Sequence, residues 1–301
     1  MYVLILLVCL IYLIYLFLIR KKWNIIKYFL IKNFYFSNID LEYTKNTKNM
    51  LLFSNSRVSF IKNYLDYGLP ILKKFLKSYS YSEILVLSYA FPNKRGNNIT
   101  KKADDVFLNL VKPTFDKLNK KVKMLDMSLP KIEQQNEIKK AQVIVVLGGN
   151  TFWLLKALYD LELIDILKKK VLSGTPYIGI SSGTNILCPS INTTNDMPNV
   201  LPPSLNSLNL LPFQINVHYI DNEEPPEYAL ESRDSRIEQY LEMFPKMNVL
   251  GLRSLTAIHV VGNNAKIVGF KNHSSVLLNF ENNKLNKKVI HVGSDISYLL
   301  K

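Results

Sequence analysis

The chain has 301 residues, 48% of them hydrophobic, and 38 Lys+Arg against 24 Asp+Glu for a formal net charge of +14. That length is ample for a sizeable core, and the apolar share excludes global disorder. The charge does not call for a nucleic-acid partner. Residues 20–48 hold seven basic and two acidic residues, and the other lysines mix with asparagine along the chain without massing in one patch.

Tyr2 to Ile19 are 18 uncharged, almost wholly apolar residues, followed by Arg20-Lys21-Lys22-Trp23. As a helix they would reach about 27 Å, enough for a bilayer core. The basic cluster behind them predicts that the rest of the chain stays on the cytoplasmic face. The expectation is a membrane anchor through residues 2–19 with a cytoplasm-facing domain; the alternative is a leader removed after organelle targeting. The expected division is a transmembrane or targeting helix over 1–22, a basic linker over 23–49 and a globular domain over 50–301.

From residue 50 short apolar runs alternate with helix-length segments. The predicted strands are Met50 to Phe53, Ile84 to Leu87, Val122 to Leu125, Val143 to Leu147 and Tyr177 to Ile180. The predicted helices are Val58 to Tyr79 (broken at Gly68 and Pro70), Lys101 to Leu118 and Phe152 to Lys170. This order predicts an α/β fold, a mostly parallel sheet with helices on both faces. Sites in such sheets lie beyond the carboxyl ends of the strands.

The central motif is Gly179-Ile180-Ser181-Ser182-Gly183, an apolar strand entering G-x-S-x-G and then a helix. Such a turn exposes the Ser181 hydroxyl at a helix start, where the Ser182 N–H can stabilise an oxyanion. Taken alone the motif fits a glycine-rich turn with an incidental serine equally well. A second donor can come from Gly149 in Leu147-Gly148-Gly149-Asn150, another strand end and glycine turn. A serine nucleophile needs a base, and the base an orienting acceptor. His218, at the end of another predicted strand in the run Pro212 to Tyr219, and Asp196, in the polar loop Ile191 to Pro198, supply those types. His259 and His291 sit in apolar runs and His273 in a turn. Cys9 and Cys188 form no C-x-x-C pair, so neither a structural disulfide nor a zinc site is expected.

Several blocks together resemble the α-aspartyl dipeptidase (dipeptidase E) family of serine peptidases. They are LLFSNS (51–56), GGNTF (148–152), YIGISSGTN (177–185), CPSINTTNDMP (188–198), LNLLPFQINVHY (208–219) and ESRDSRI (231–237). The resemblance implies a fold like the class I glutamine amidotransferases and cleavage of dipeptides with N-terminal aspartate, without metal or cofactor. It implies Ser181 as nucleophile, His218 as base, Asp196 as third member, and Gly149 and Ser182 as oxyanion donors. It also implies a small acidic peptide as partner, with Arg233, Asn150 and Glu231 as substrate-binding residues. A guanidinium suits the substrate's carboxylate, although Arg233 and Arg236 fit a solvated helix start as well.

Two departures from the family pattern stand out. Ser254 occupies the place of a glutamate in a G-L-x-E-G segment, here Gly251 to Leu255, and Ser182 replaces a usual alanine. The lost glutamate leaves open a weakened, membrane-tethered homologue that binds acidic peptides or a protein partner. An α/β-hydrolase esterase would use a later base, His273 or His291.

Overall fold

A computed structural model of the chain describes residues 15, 46–57, 64–77, 79, 81, 83–91, 106–221, 231–282 and 284–301. Short runs of apolar residues become the central strands because both of their faces are covered. β1 (Asn49–Phe53), β2 (Ile84–Leu87), β4 (Ile144–Val146) and β5 (Tyr177–Ile180) are buried at every position. With β3 (Val122–Met124) they form five parallel strands in the order β3-β2-β4-β5-β1. β8 (Thr256–Val261) and β9 (Asn264–Gly269) extend this sheet antiparallel beyond β1 to make seven strands.

Alternate side chains of each strand point to opposite faces. Leu51, Phe53, Ile84, Val86, Ile178 and Ile180 enter one core with Leu72, Phe75 and Leu76 of α1 (Leu69–Lys77) and Phe115 of α2 (Lys112–Asp116). Met50, Leu52, Leu85, Leu87 and Val146 enter the other. That second core takes Ile138 of α3 (Lys131–Lys140), Leu154 and Leu158 of α4 (Thr151–Asp160), and Leu167 of α5 (Ile164–Leu172). Each such fully buried side chain contributes about 1.5–3 kcal/mol by leaving water.

A second sheet of four strands was not foreseen from the sequence. Its order is β11-β10-β7-β6, from β6 (Gln214–Tyr219), β7 (Val249–Arg253), β10 (Ser274–Glu281) and β11 (Lys284–His291). β6 and β7 run parallel, and the others antiparallel. Its inner residues Ile215, Val217, Leu250, Leu252 and Leu277 belong to the same core as the inner face of the large sheet. On its outer face α7 (Arg233–Met243) packs Ile237 and Leu241 against Tyr219, Val249, Val276 and Leu278.

Three predicted helices are revised. Of Val58 to Tyr79, residues 58–63 and 78 lie outside the described residues; a 3₁₀ turn, Asp66–Gly68, leads into α1. Of Lys101 to Leu118, residues 101–105 lie outside, and a π-helical turn, Phe107–Val111, precedes α2. Phe152 to Lys170 is two helices, parted where Glu162 takes φ 54°. The expected N-terminal span, its basic flank and most of the linker lie outside the described residues. Among the described residues no helix is long and apolar enough to cross a membrane.

Candidate active site

β5 runs directly into Ser181, whose backbone sits at φ 53°, ψ −111°. A non-glycine residue there costs about 1–3 kcal/mol and persists only where its surroundings enforce it. The Ser181 N–H donates to the Phe53 carbonyl at 3.0 Å, and the N–H groups of Thr184 and Asn185 donate to the Ser181 carbonyl at 2.8 and 3.0 Å. The Thr184 hydroxyl donates to the same Phe53 carbonyl at 2.8 Å. The Tyr177 hydroxyl pins the Gly183 carbonyl at 2.6 Å. Any Cβ on Gly183 would lie 2.2 Å from the Val146 carbonyl oxygen, so only glycine lets the one-turn helix α6 (Ser182–Asn185) pack this close to β4. The elbow therefore lifts the Ser181 hydroxyl out of a fully buried strand.

His218 comes from the other sheet. β6 slips register against β7 between Val217 and Tyr219, and His218 takes φ 54° at this bulge. Its N–H donates to the Ser54 hydroxyl at 3.0 Å, and that hydroxyl donates to the Leu252 carbonyl at 2.7 Å. Ser54, fully buried just after β1, thus ties the bulge to both sheets. The ring Nε2 lies 2.7 Å from Ser181 Oγ. The partial loss of water around His218 lowers its pKa, Asp196 raises it and Arg233 lowers it, with the net effect downward. At neutral pH the imidazole is therefore uncharged and able to accept the Ser181 proton.

The polar loop after the elbow stands in for a strand neighbour along the free edge of β6. The Thr193 hydroxyl donates to the Ile215 carbonyl at 3.1 Å, and the Asn195 amide to the Val217 carbonyl at 2.7 Å. Asp196 is engaged at a helix start. Its carboxylate accepts from the Thr151 N–H at 2.7 Å and the Thr151 hydroxyl at 2.5 Å, at the start of α4. Among the described residues no carboxylate hydrogen-bonds to His218, and Asp196 reaches it only through space.

Gly149 has φ +155°, and a Cβ there would lie 2.5 Å from the Ala90 carbonyl oxygen. Among the described residues neither the Gly149 N–H nor the Ser182 N–H has a protein partner, so both are open to an incoming oxyanion. Ser182 also ties the elbow to the glycine turn, its hydroxyl donating to the Leu147 carbonyl at 3.4 Å. Leu147, just before the glycine turn, points into the core. Asn150 caps α4: its Oδ1 accepts from the Trp153 N–H at 3.1 Å and its Nδ2 donates to the Met197 carbonyl at 2.9 Å. Both ends of its amide thus hold the loop to the start of α4.

Arg233 opens α7 half-buried, near enough to His218 and Asp196 to act on both charges. Loss of water, then the neighbouring Arg236, lower its pKa, while Asp196 raises it. Among the described residues it has no hydrogen-bond partner, whereas the exposed Glu231 is paired with Arg236 at 3.0 Å. Ser254 lies in the turn between β7 and β8. The role of Ser54 has no signal in the sequence beyond the SNS run after β1.

A strained serine against a neutral imidazole, with two free amides at the rim of a wound sheet, defines a serine hydrolase. The model of Peptidase family S51 matches residues 50–268. The chain belongs to Peptidase family S51, and it is a serine peptidase. It is 38% identical over 239 residues to "Peptidase E" of Pasteurella multocida (strain Pm70), covering 79% of this chain and 95% of that one. It is 36% identical over 228 residues to "Probable alpha-aspartyl dipeptidase" of Drosophila melanogaster, covering 75% of this chain and 89% of that one. Among solved structures, a peptidase from an acI-B1 Actinobacterium superposes with a TM-score of 0.56 at 14% identity, covering 84% of this chain and 98% of that one. That likeness shows the fold alone.

These relatives correct the expected membrane-anchored, cytoplasm-facing placement. The match begins at residue 50, and the Pasteurella protein has only one twentieth of its length outside the alignment. The region shared with the family therefore begins after the 2–19 segment, and among the described residues no helix is long and apolar enough to cross a membrane.

Proposed function

We propose that the chain hydrolyses dipeptides with an N-terminal aspartate through a seryl-acyl intermediate. The observation that carries the reading is the 2.7 Å contact between Ser181 Oγ and the uncharged His218 Nε2 at a strained elbow. His218 takes the Ser181 proton as the oxygen attacks the aspartyl carbonyl carbon. The Gly149 and Ser182 amides hold the resulting oxyanion, a donor of this kind contributing about 2.7–4 kcal/mol. His218 then protonates the departing amine, and the peptide C–N bond breaks. A water molecule, deprotonated by His218, attacks the acyl ester and restores Ser181.

Asp196 serves as a through-space partner for the imidazolium, and its bonds to Thr151 fix the helix start beside Gly149. Arg233, unpartnered among the described residues, receives the aspartate side chain in a bidentate pair. Glu231 receives the substrate's ammonium group by exchanging Arg236. The names of the Pasteurella and Drosophila relatives support the dipeptidase reading.

The test is release of leucine from Asp-Leu by the full chain, with Asn-Leu as control. Asp-Leu should be preferred by about tenfold or more, and Ser181→Ala should lose at least about a thousandfold. Undiminished hydrolysis by Ser181→Ala eliminates the nucleophile; equal use of both dipeptides eliminates the aspartate reading.

A further inference from the structure

A charged cluster behind the site joins the strand of the histidine to the helix of the arginine. Arg253, at the end of β7, grips Asp221 through two bonds of 2.7 and 2.8 Å and donates to the Ser274 hydroxyl at 2.5 Å. Lys287 of β11 lies 3.0 Å from both Asp221 and Asp234, with its Nζ 5.3 Å from the centre of the Tyr219 ring. Asp234, in the first turn of α7, accepts a hydrogen bond from the Tyr219 hydroxyl. Burial works against the Lys287 charge, but its bonds to Tyr219, Asp234 and Asp221 outweigh it and raise its pKa. Two cations face two carboxylates, so the cluster is internally satisfied and offers no ligand site of its own.

Its placement gives it a task. Tyr219 directly follows His218 in the chain, and Asp234 directly follows Arg233. The neighbours of the base and of the guanidinium are therefore bonded to each other and braced by the same lysine. We propose that Tyr219, Asp234 and Lys287 form a positioning clamp that fixes Arg233 relative to the Ser181–His218 pair and thereby sets the preference for an acidic over an amide side chain. The inference rests on the reading of Arg233 as the carboxylate receptor. Bidentate pairing tolerates only about 0.5 Å of misplacement. An amide makes less of the guanidinium's charge, so loosening α7 costs the acidic substrate more than its amide analogue.

The experiment uses the full chain and follows fluorophosphonate labelling of Ser181, with Asp-Leu and Asn-Leu as protecting ligands. In the unaltered chain Asp-Leu should protect at about tenfold lower concentration than Asn-Leu. Tyr219→Phe and Lys287→Met should label within about threefold of the unaltered rate, while the tenfold preference falls to about threefold or less. Lys287→Arg, which keeps the charge, should retain the preference. If Tyr219→Phe fails to fold, Lys287→Met on the outer strand β11 decides. An unchanged preference in Lys287→Met overturns the clamp, as does a fall in labelling with the preference intact. Absence of any preference in the unaltered chain refutes the carboxylate reading itself, a result separate from failure of the clamp.

Discussion

Replacing Ser54 with alanine removes one hydroxyl and leaves two groups without a partner. The Leu252 carbonyl loses its donor at 2.7 Å in a fully buried setting, and the His218 N–H loses its acceptor at 3.0 Å in a partly buried one. A buried unsatisfied group costs about 1–3 kcal/mol, and the partly buried one should cost about 1 kcal/mol, for a total near 2–4 kcal/mol. For a domain of this size that lowers the melting temperature by about 5–12 °C. Freed from Ser54, His218 can relax from φ 54°, and its ring swings away from the serine. A misplacement of about 1 Å costs about a hundredfold in rate. Thermal melts and dipeptide kinetics on Ser54→Ala should show both losses, with kcat falling and KM little changed. Unaltered stability and kcat would refute the idea that this hydroxyl holds the bulge.

Three further outcomes follow from the ionisable groups. His218 is held below its ordinary pKa of 6.5, so fluorophosphonate labelling should rise with pH along a limb centred below 6.5 and then level off. Arg233→Gln removes a charge that lowers this pKa and should move the limb up, whereas Asp196→Asn should move it down. His259 is 6% exposed, hydrogen-bonds to Asn49 Oδ1 at 3.0 Å, and has its pKa lowered by burial, and then by Lys266, to about 4. Because the folded group binds its proton more weakly than the unfolded one, stability is lost as pH falls from 6.5 toward 4. The loss from this group should approach about 3 kcal/mol, and a His259→Gln variant should flatten the slope in denaturant titrations. Cys188 is buried, with its thiol pKa pushed up to about 12. Peptide mapping after iodoacetamide treatment of the native protein should find it unmodified, and modification only on unfolding.

The parts of the fold legible in the sequence were those written in contiguous residues. Ile84–Leu87 and Tyr177–Ile180 fall where their unbroken apolar runs predict, since a strand covered on both faces needs no polar alternation. The four-stranded sheet was hidden because β11 has most of its residues exposed, including three lysines, and so shows no apolar run. The division of residues 152–170 rests on Glu162 in a left-handed turn, which no glycine or proline announces. Within the candidate site, the turns that carry Ser181, Ser182 and Gly149 were readable. The contacts that orient them were not, because they join distant parts of the chain. Ser54 meets His218 across 164 positions, and Asp196 meets Thr151 across 45. Asp196 shows the limit of residue type as a guide: the carboxylate is near the imidazole's field, yet its hydrogen bonds go to a helix start.

The most direct measurement is mass-spectrometric mapping of the full chain after reaction with a fluorophosphonate, alongside His218→Ala. One phosphonylated residue, Ser181, is expected, with at least about a hundredfold slower reaction without the imidazole. Modification at another serine, or undiminished reaction in His218→Ala, would contradict the seryl-acyl mechanism.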